Sequence, residues 1–293
     1  MKKILVLLMV LFVLPMAMFA EGQQDTASDP VAAAAAEYFA DYPGSRIVPA
    51  TKAFEAIDAG ADVLILDIRR ADDYAKGHLK GAVNAPWGPE LAKAIDWLPD
   101  DQPIYVNCYS GQTAGQATAV LNIAGFKVSS IKYGWNLGIA KTEGYEAYVE
   151  TTANAAPEAS GVRIDPAVKA AAQDYFNNLK SDPKAGSNIV AAAKVSSDFA
   201  DAVIVSIRKP EDYAKGHIEG AINIPFGEGM QASFDQLPKD NKVLVYCYSG
   251  QTAGQTVGVL RMMGYDAASI KSGMGTGNTG GSGWGNEGLP VVK

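Results

Sequence analysis

The sequence contains a long internal repeat, and the length of that repeat limits what the chain can fold into. Residues 69–134 align without a gap with residues 208–273, each residue lying 139 positions before its counterpart. The nine residues CYSGQTAGQ are identical at 108–116 and 247–255. Solenoid and propeller repeats are much shorter, at roughly 20–50 residues. The duplicated unit is therefore a whole domain, and a chain of 293 residues has room for two.

The match between the two halves sets the predicted domain boundaries. Upstream of residue 69 the match loosens, although the pairs Tyr38-Phe39 and Tyr175-Phe176 still correspond. Between the copies, residues 151–166 are rich in Ala, Thr and Pro and have no apolar period, which is typical of a linker. We predict a signal peptide at 1–20, a tether at 21–30, a first domain at 31–150, a linker at 151–166 and a second domain at 167–293.

The N-terminal segment has the three parts of a secretory signal. Lys2 and Lys3 precede an apolar run at 4–14, and Ala20 is a small residue suited to cleavage. The run is shorter than the about 20 residues that cross a bilayer. We therefore expect an exported protein, periplasmic or extracellular. The alternative is an uncleaved anchor, because Met18 stands where a small residue is preferred, and membrane association is expected only through such a segment.

Each copy alternates short apolar runs with helical patterns. The runs at 63–66 and 104–106 are continuous, as in strands that are buried on both faces of a parallel sheet. Residues 113–124 follow with an apolar face of helical period, and Gly125 is placed to end that helix. Strands that alternate with helices predict an α/β fold, in which each domain has a mainly parallel central sheet flanked by helices. The second copy repeats this order with runs at 203–205 and 243–246 and a glycine at 264.

Charge and residue spacing argue against several classes of ligand. The net charge is −7 and no cluster of Lys or Arg is present, so the sequence offers no basic surface for nucleic-acid phosphates. Two cysteines 139 positions apart and the isolated His78 and His217 do not have the spacing of metal ligands. We predict no nucleic-acid partner, no metal and no cofactor.

Each cysteine follows a predicted strand and precedes a predicted helix. In an open α/β sheet, ligands bind at the carboxyl ends of the strands, which is where Cys108 and Cys247 stand. Gly111 permits a tight backbone turn after Cys108, so that successive N–H groups at the helix N-terminus can point toward the sulfur. Such a ring of donors favours a reachable thiolate and would also stabilise an anion that the thiolate attacks.

These residues carry a resemblance to a known family. The first half combines Asp67-Ile-Arg69, the run YAKGHLKGAVNAP at 74–86 and the loop CYSGQT at 108–113. The second half combines GHIEGAINIP at 216–225 with CYSGQT at 247–252. Together these motifs resemble the rhodanese family, and the resemblance covers most of the chain after the signal and tether. It implies two tandem rhodanese-like domains.

The resemblance also implies an activity. A donor such as thiosulfate, a polysulfide or a mercaptan would give sulfane sulfur to the cysteine, and the resulting persulfide would pass it to a thiol or cyanide. Cys108 and Cys247 would be the catalytic nucleophiles. The residues expected to bind substrate are Arg69, Tyr109, Ser110, Gly111, Gln112 and Thr113 in the first half and Arg208, Tyr248, Ser249, Gly250, Gln251 and Thr252 in the second.

Two departures from the family pattern affect these expectations. Rhodaneses that favour thiosulfate usually place basic residues in or beside the loop, whereas CYSGQT is uncharged in both copies, so thiosulfate is one donor among several. The second copy has Ser206 where the first has Asp67, so carboxylate support for Arg208 is missing at that point and Cys108 is the surer nucleophile.

Several of these residues could have a structural role instead of a catalytic or binding one. The cysteines could form a disulfide, an alternative that ranks below the nucleophile because each sulfur is expected inside its own domain. Arg69 and Arg208 could hold the loop through a carboxylate instead of facing substrate. Tyr109 and Tyr248 could cover a domain interface, and Thr113 and Thr252 could cap a helix as well as donate to sulfur. His78 and His217 are expected to fix a turn by bonding the backbone.

Two rival functions use a similar cysteine. Phosphatases and arsenate reductases of the related fold have a loop longer by one residue that ends in an arginine, and no arginine occurs at 108–113. A non-catalytic persulfide carrier shares every feature above. The sequence leaves this second alternative open.

Overall fold

The computed structural model describes residues 29–40, 42–158, 161, 163–179 and 186–293. The predicted signal peptide at 1–20 and most of the predicted tether at 21–30 lie outside these residues, and Pro30 already begins the first helix. Within the described ranges, no helix combines the length and the hydrophobicity that crossing a membrane requires.

The first half is built on a five-stranded parallel sheet. The strand order is β1-β6-β5-β2-β4, which places β5, the strand before Cys108, at the centre. On β5 and its neighbour β2, the side chains of Leu64, Leu66, Ile104 and Val106 are buried. The bounds are β1 Ile47–Val48, β2 Leu64–Asp67, β4 Val83–Asn84, β5 Pro103–Asn107 and β6 Lys127–Ile131.

A second five-stranded parallel sheet forms the other half and has the equivalent order, β10-β9-β11-β12-β8. The predicted α/β class with two mainly parallel sheets is confirmed. A short antiparallel pair, β3 with β7, accompanies the first sheet, and an isolated bridge between His217 and Val292 takes the same place in the second half. The bounds are β3 His78–Leu79, β7 Val149–Glu150, β8 Ile189–Val190, β9 Val203–Ser206, β10 Ile222–Asn223, β11 Val243–Tyr246 and β12 Ala267–Ile270.

Helices cover both sheets. Two of the three longest helices among the described residues follow the cysteine loops, and both are rich in residues with small side chains, which lets them pack closely. The bounds are α1 Pro30–Ala40, α2 Ala50–Asp58, α3 Ala71–Lys76, α4 Pro89–Ala94, α5 Gln112–Ile123, α6 Pro166–Asn177, α7 Val195–Asp198, α8 Pro210–Lys215 and α9 Gln251–Met262. Helical turns of other types lie at Gly134–Gly138, Ile139–Lys141, Tyr145–Tyr148, Gly186–Asn188, Ala192–Lys194 and Met230–Gln236.

The two halves meet where α5 crosses α9. Glycine allows this approach, since a Cβ atom on Gly115 would lie 2.2 Å from the carbonyl oxygen of Gln251. The reciprocal contact has the same form, because a Cβ on Gly254 would lie 2.4 Å from the carbonyl oxygen of Gln112. The helix backbones are therefore almost in contact, and the two cysteine loops at their N-termini face the same interface.

The first helix of each half packs on the opposite half. Phe39 of α1 makes edge-to-face contacts with Phe226 and Phe234, and the Tyr38 hydroxyl donates to Gln255 Oε1 at 2.8 Å. In the mirror arrangement, Phe176 of α6 lies edge to face with Trp87 and the Tyr175 hydroxyl donates to Gln116. We call α1 and α6 the exchanged helices. The predicted domain boundaries, including the linker at 151–166, stay a prediction.

The exchanged helices join the two halves into one apolar core. The largest buried cluster includes Phe39, Val106, Phe176 and Val245, which come from both halves of the chain. Two smaller clusters lie on the outer faces of the sheets, one around Ile65 and one around residues of the second sheet. The core therefore fixes the relative position of the two cysteine loops.

Candidate functional site

Cys108 lies at the carboxyl end of β5, inside a ring of main-chain donors. The backbone N–H of Gly111 points to Cys108 Sγ at 3.1 Å, and that of Ala114 lies at 3.4 Å. Gly111 has φ 91°, in the left-handed region that favours glycine, and α5 begins at the next residue. The sulfur is therefore held at the N-terminus of a helix, where amide dipoles stabilise negative charge.

The second cysteine loop repeats this geometry. The N–H of Gly250 points to Cys247 Sγ at 3.1 Å, and Gly250 has φ 93° before the start of α9. Both cysteines are free thiols, so the disulfide alternative does not describe this structure. Cys108 and Cys247 are 1% and 2% exposed. The sequence predicts reachable thiolates, whereas in the structure both cysteines lie beside main-chain donors and are almost fully covered.

A turn after the last central strand closes the back of each loop. In the first half the N–H of Trp135 donates to the carbonyl oxygen of Cys108 at 2.7 Å. In the second half the N–H of Met274 donates to the carbonyl oxygen of Cys247 at 2.8 Å. We call residues 133–135 and 272–274 the back turns. Each cysteine is thus fixed through its sulfur by the helix side and through its carbonyl by the back turn.

Arg69 is paired with a carboxylate, the structural alternative to facing substrate. Its guanidinium forms a bidentate pair with Asp67 at 2.6–3.1 Å, donates to the carbonyl oxygen of Gly77 at 2.7 Å and stacks over the Trp135 ring at 4.0 Å. Arg69 and Asp67 are both almost fully buried. The carboxylate offsets the free-energy cost of burying the guanidinium charge. Arg69 still lines the cavity beside the loop.

Arg208 lacks this support, as the sequence predicts. It donates to the carbonyl oxygen of Gly216 at 2.6 Å and its backbone N–H faces Ser206 Oγ at 3.4 Å. Its Nε is buried and has no hydrogen-bond partner among the described residues. The two halves therefore differ at the arginine, although their cysteine loops are alike.

The tyrosine next to each cysteine turns away from the domain interface. The Tyr109 hydroxyl donates to Asp73 Oδ2 at 2.6 Å and accepts from the Arg70 N–H at 3.1 Å. Lys76, Tyr109 and Arg70 together hold the pKa of the Asp73 carboxyl well below its usual range, because all three donate to it. Tyr248 forms the equivalent bonds with Asp212 and the Lys209 N–H. The alternative in which Tyr109 and Tyr248 cover a domain interface does not describe this structure, and their substrate-binding role stays a prediction.

The structure places the side chains of Gln112 and Gln251 across the interface between the halves. Gln112 Nε2 donates to Ser269 Oγ at 2.7 Å, and Gln251 Nε2 donates to Ser130 Oγ at 2.8 Å. Both glutamines are almost fully buried. The sequence predicts that they bind substrate; in the structure their side-chain amides are bonded to the opposite half and do not face their own loop, and the binding role stays a prediction.

The remaining loop side chains stay half-buried. Ser110, Thr113, Ser249 and Thr252 make no side-chain hydrogen bond to other described residues, so neither threonine donates to sulfur nor caps a helix here. The backbone of this segment supplies the donors instead.

Both histidines have the structural role that the sequence predicts. His78 is fully buried, its ring nitrogens lie 2.8 Å from the carbonyl oxygen of Tyr74 and 3.1 Å from that of Thr152, and its ring stacks on Tyr74. His217 stacks on Tyr213 in the same way. The contact with Thr152 also ties the start of the predicted linker to the first half.

A cavity of about 720 Å³ adjoins the first cysteine loop. Its walls are aromatic and charged, and include Arg69, Lys76, Tyr109, Trp135, Tyr145 and Glu146. Tyr145 and Glu146 were not predicted as site residues, because nothing near them in sequence resembles a motif. Cys108 itself is not among the lining residues, in keeping with its burial. Among the described residues, no cluster of His, Cys, Asp and Glu has the arrangement of a metal site.

Comparison with known proteins supports the repeat. The family model described as "Rhodanese-like domain" matches residues 50–141 and 191–275, together more than half of the chain. PspE of Escherichia coli, named a thiosulfate sulfurtransferase, is 40% identical over 68 residues, which are 23% of this chain and 65% of PspE. A protein of Allochromatium vinosum named a sulfurtransferase is 31% identical over 97 residues, 33% of this chain and 83% of that protein.

Other relatives are matched over less of their length or at lower identity. YrkF of Bacillus subtilis is 32% identical over 90 residues, which are 30% of this chain and 48% of YrkF. The match thus spans less than two thirds of both YrkF and PspE. Among solved structures, SseA of Escherichia coli aligns with 78% of this chain and 98% of its own at 21% identity and a TM-score of 0.38. The family match, which falls on both parallel sheets and both cysteine loops, carries the assignment. The chain belongs to the rhodanese-like domain family and contains two tandem copies of that domain.

Proposed function

We propose that this protein is a sulfurtransferase that holds sulfur as a persulfide on Cys108 and on Cys247. The thiolate attacks the outer sulfur of a donor, a new S–S bond forms on the cysteine, and the donor leaves with the electron pair of the bond that breaks. With thiosulfate as the donor, sulfite is the leaving group. An acceptor thiolate or cyanide then attacks the outer sulfur of the persulfide and restores the cysteine thiolate. No external oxidant or reductant is needed.

The observation that carries this proposal is that main-chain N–H groups point to each free sulfur, two to Cys108 and one to Cys247. The N–H groups of Gly111 and Ala114 around Cys108 can stabilise a thiolate before the reaction and a persulfide anion after it. The N–H of Gly250 stands at the same place beside Cys247. The relatives that are named sulfurtransferases support the same chemistry.

The cavity beside Cys108 favours a donor of low charge. Its two cationic side chains are already paired, Arg69 with Asp67 at 2.6 Å and Lys76 with Asp73 at 2.8 Å. A thiosulfate dianion, like an inorganic polysulfide dianion, would therefore have to compete with these carboxylates, whereas an organic persulfide, with one negative charge at its reacting end, would compete less. We propose that such donors load Cys108 more efficiently than thiosulfate does.

Single-cysteine variants test the function. Transfer of sulfur from thiosulfate and from polysulfide to cyanide is measured for the wild type, Cys108→Ser, Cys247→Ser and the double variant, together with the mass of each intact protein after loading. We expect a mass increase of one sulfur atom per cysteine present, and no transfer by the double variant. Transfer that persists without either cysteine would overturn the proposal.

A second candidate is a persulfide carrier that does not turn over by itself. The near-complete burial of both cysteines favours it, because a covered persulfide is protected from small thiols. YrkF is described provisionally as a sulfur carrier. Stable loading at both cysteines without release to cyanide or to small thiols would identify a carrier.

We also propose that residues 1–20 direct export. N-terminal sequencing of the protein from an exported fraction is expected to begin near residue 21, after Ala20. A chain that begins at Met1 in that fraction would show retention as an anchor.

A further inference from the structure

We infer that each cysteine site is positioned by a glutamine from the opposite half, so that Gln251 positions the Cys108 site and Gln112 positions the Cys247 site. This inference rests on the proposed function, because it concerns how the two sulfur sites are held for transfer. Each glutamine is the first residue of the helix after one cysteine loop, but its side chain contacts the other half.

Gln251 is bonded to the strand end and to the back turn of the first half. Its Nε2 donates to Ser130 Oγ at 2.8 Å and to the carbonyl oxygen of Ile131 at 3.2 Å. Its Oε1 accepts from the N–H of Tyr133 at 3.1 Å. Tyr133 has φ 61°, a left-handed conformation that is unfavourable for a residue with a side chain. Gln251 thus stabilises the back turn at its strained residue.

The same amide also touches the donor side of the first loop. A Cβ atom on Gly111 would lie 2.8 Å from Gln251 Oε1, so Gln251 packs directly on the residue whose N–H points to Cys108 Sγ. Gly134 of the back turn packs on the same loop, since a Cβ on Gly134 would be 2.8 Å from the N atoms of both Ser110 and Gly111. Gln251 therefore contacts both parts that fix Cys108, the donor loop and the back turn.

The second site has the mirror arrangement. Gln112 Nε2 donates to Ser269 Oγ at 2.7 Å and to the carbonyl oxygen of Ile270 at 3.1 Å, and Gln112 Oε1 accepts from the N–H of Ser272 at 3.1 Å. Ser272 has φ 57°, the strained equivalent of Tyr133. A Cβ on Gly250 would lie 2.7 Å from Gln112 Oε1. Because both halves show the same crossed set of contacts, the arrangement is a property of the interface and not of one loop.

The crossed contacts predict which site each glutamine controls. If these side chains acted on their own loops, a change at Gln251 would affect Cys247. Since the amide of Gln251 reaches only the first half, its loss should loosen the donor loop and back turn around Cys108 and leave the Cys247 loop in place. If the glutamines only held the two halves together, each change would slow sulfur loading at both cysteines equally.

The test compares Gln251→Met, Gln112→Met and Gln255→Met in the full chain. Methionine has a similar length and no amide. Gln255→Met is the matched control, because Gln255 lies one turn further along α9 and is fully buried, but bonds Tyr38 and the carbonyl oxygen of Ser45 of the first half instead of a cysteine loop. Two quantities are measured for each loop separately: the rate of sulfur loading from polysulfide, by mass spectrometry of the cysteine peptides, and amide hydrogen exchange of residues 108–114, 131–136, 247–253 and 270–275.

For Gln251→Met we expect the ratio of Cys108 to Cys247 loading to fall about tenfold, the size of effect that one lost net hydrogen bond produces. Exchange should quicken at 108–114 and 131–136 only. Gln112→Met should give the reverse pattern, and Gln255→Met should leave the loading ratio unchanged. Effects on the cysteine of the same helix, or equal effects on both cysteines, would overturn the inference. Exchange needs no sulfur donor, so a wild-type chain that takes up no sulfur would overturn the proposed function while the exchange pattern alone still decides the coupling.

Discussion

Replacing Asp67 with serine gives the first half the residue that the second half has naturally at this position. In the structure the Asp67 carboxylate accepts from Nε and Nη2 of Arg69 and from the Arg69 backbone N–H at 2.6–3.1 Å. The side chains of Arg69 and Asp67 are 4% and 1% exposed, so bulk solvent does not reach the pair. Serine would leave a buried guanidinium bonded chiefly to the carbonyl oxygen of Gly77.

The size of the loss follows from this burial. Removing one partner of a buried ion pair costs about 3–5 kcal/mol, because the other charge stays in a medium of low dielectric constant. We therefore expect Asp67→Ser to lower the free energy of unfolding by about 3 kcal/mol or more. The reciprocal change Ser206→Asp would give Arg208 a carboxylate, and its unpartnered Nε a hydrogen bond, and should raise the free energy of unfolding by about 1 kcal/mol.

Urea titration followed by tryptophan fluorescence measures both changes, and Trp135 reports directly because Arg69 stacks on its ring. Circular dichroism of the same samples checks that the two probes give one transition. Asp72→Ser is the matched control, since Asp72 is exposed and its loss should change stability by less than about 0.5 kcal/mol. A loss below about 1 kcal/mol for Asp67→Ser would refute the view that this carboxylate neutralises a buried charge.

Two further predictions concern the helix crossing and the tyrosine beside Cys108. Gly115→Ala should lower the free energy of unfolding by about 2 kcal/mol or more, because its Cβ would overlap the carbonyl oxygen of Gln251. Gly227→Ala is the control, since open space surrounds Gly227 and the change should be tolerated. Equal thermal stability of the two variants would contradict the close crossing of α5 and α9. Tyr109→Phe removes one of the three donors to Asp73 and should raise the pKa of that carboxyl, although Lys76 and Arg70 will keep it below its usual range. NMR titration of the carboxyl carbon measures this pKa. An unchanged value would show that the hydrogen bond from the tyrosine is absent in solution.

The parts of the site that depend on nearby residues could be predicted from the sequence. The strand, the loop CYSGQT and the helix are contiguous, and Gly111 alone provides the left-handed turn that places the N–H groups around Cys108. The pairing of Arg69 with Asp67 joins residues two positions apart, so both it and its absence at Ser206 could be foreseen. The α/β class followed from the alternation of strands and helices.

The parts that depend on docking could not be predicted. Gln112 binds Ser269 and Ser272, which lie far along the chain, and nothing in the loop motif shows that its amide leaves its own domain. The position of the exchanged helices was hidden by the repeat itself. The pairs Tyr38-Phe39 and Tyr175-Phe176 are alike, so each helix matches either half equally well, and only the structure shows which half it covers.

The exchanged helices also set the order in which the chain can be completed during synthesis. The N-terminus leaves the ribosome first, but the apolar side of α1 around Phe39 is covered by Phe226 and Phe234, which are made more than half a chain later. The apolar side of α1 therefore stays uncovered until residues 226–234 have been made, and the first half cannot complete its packing before then.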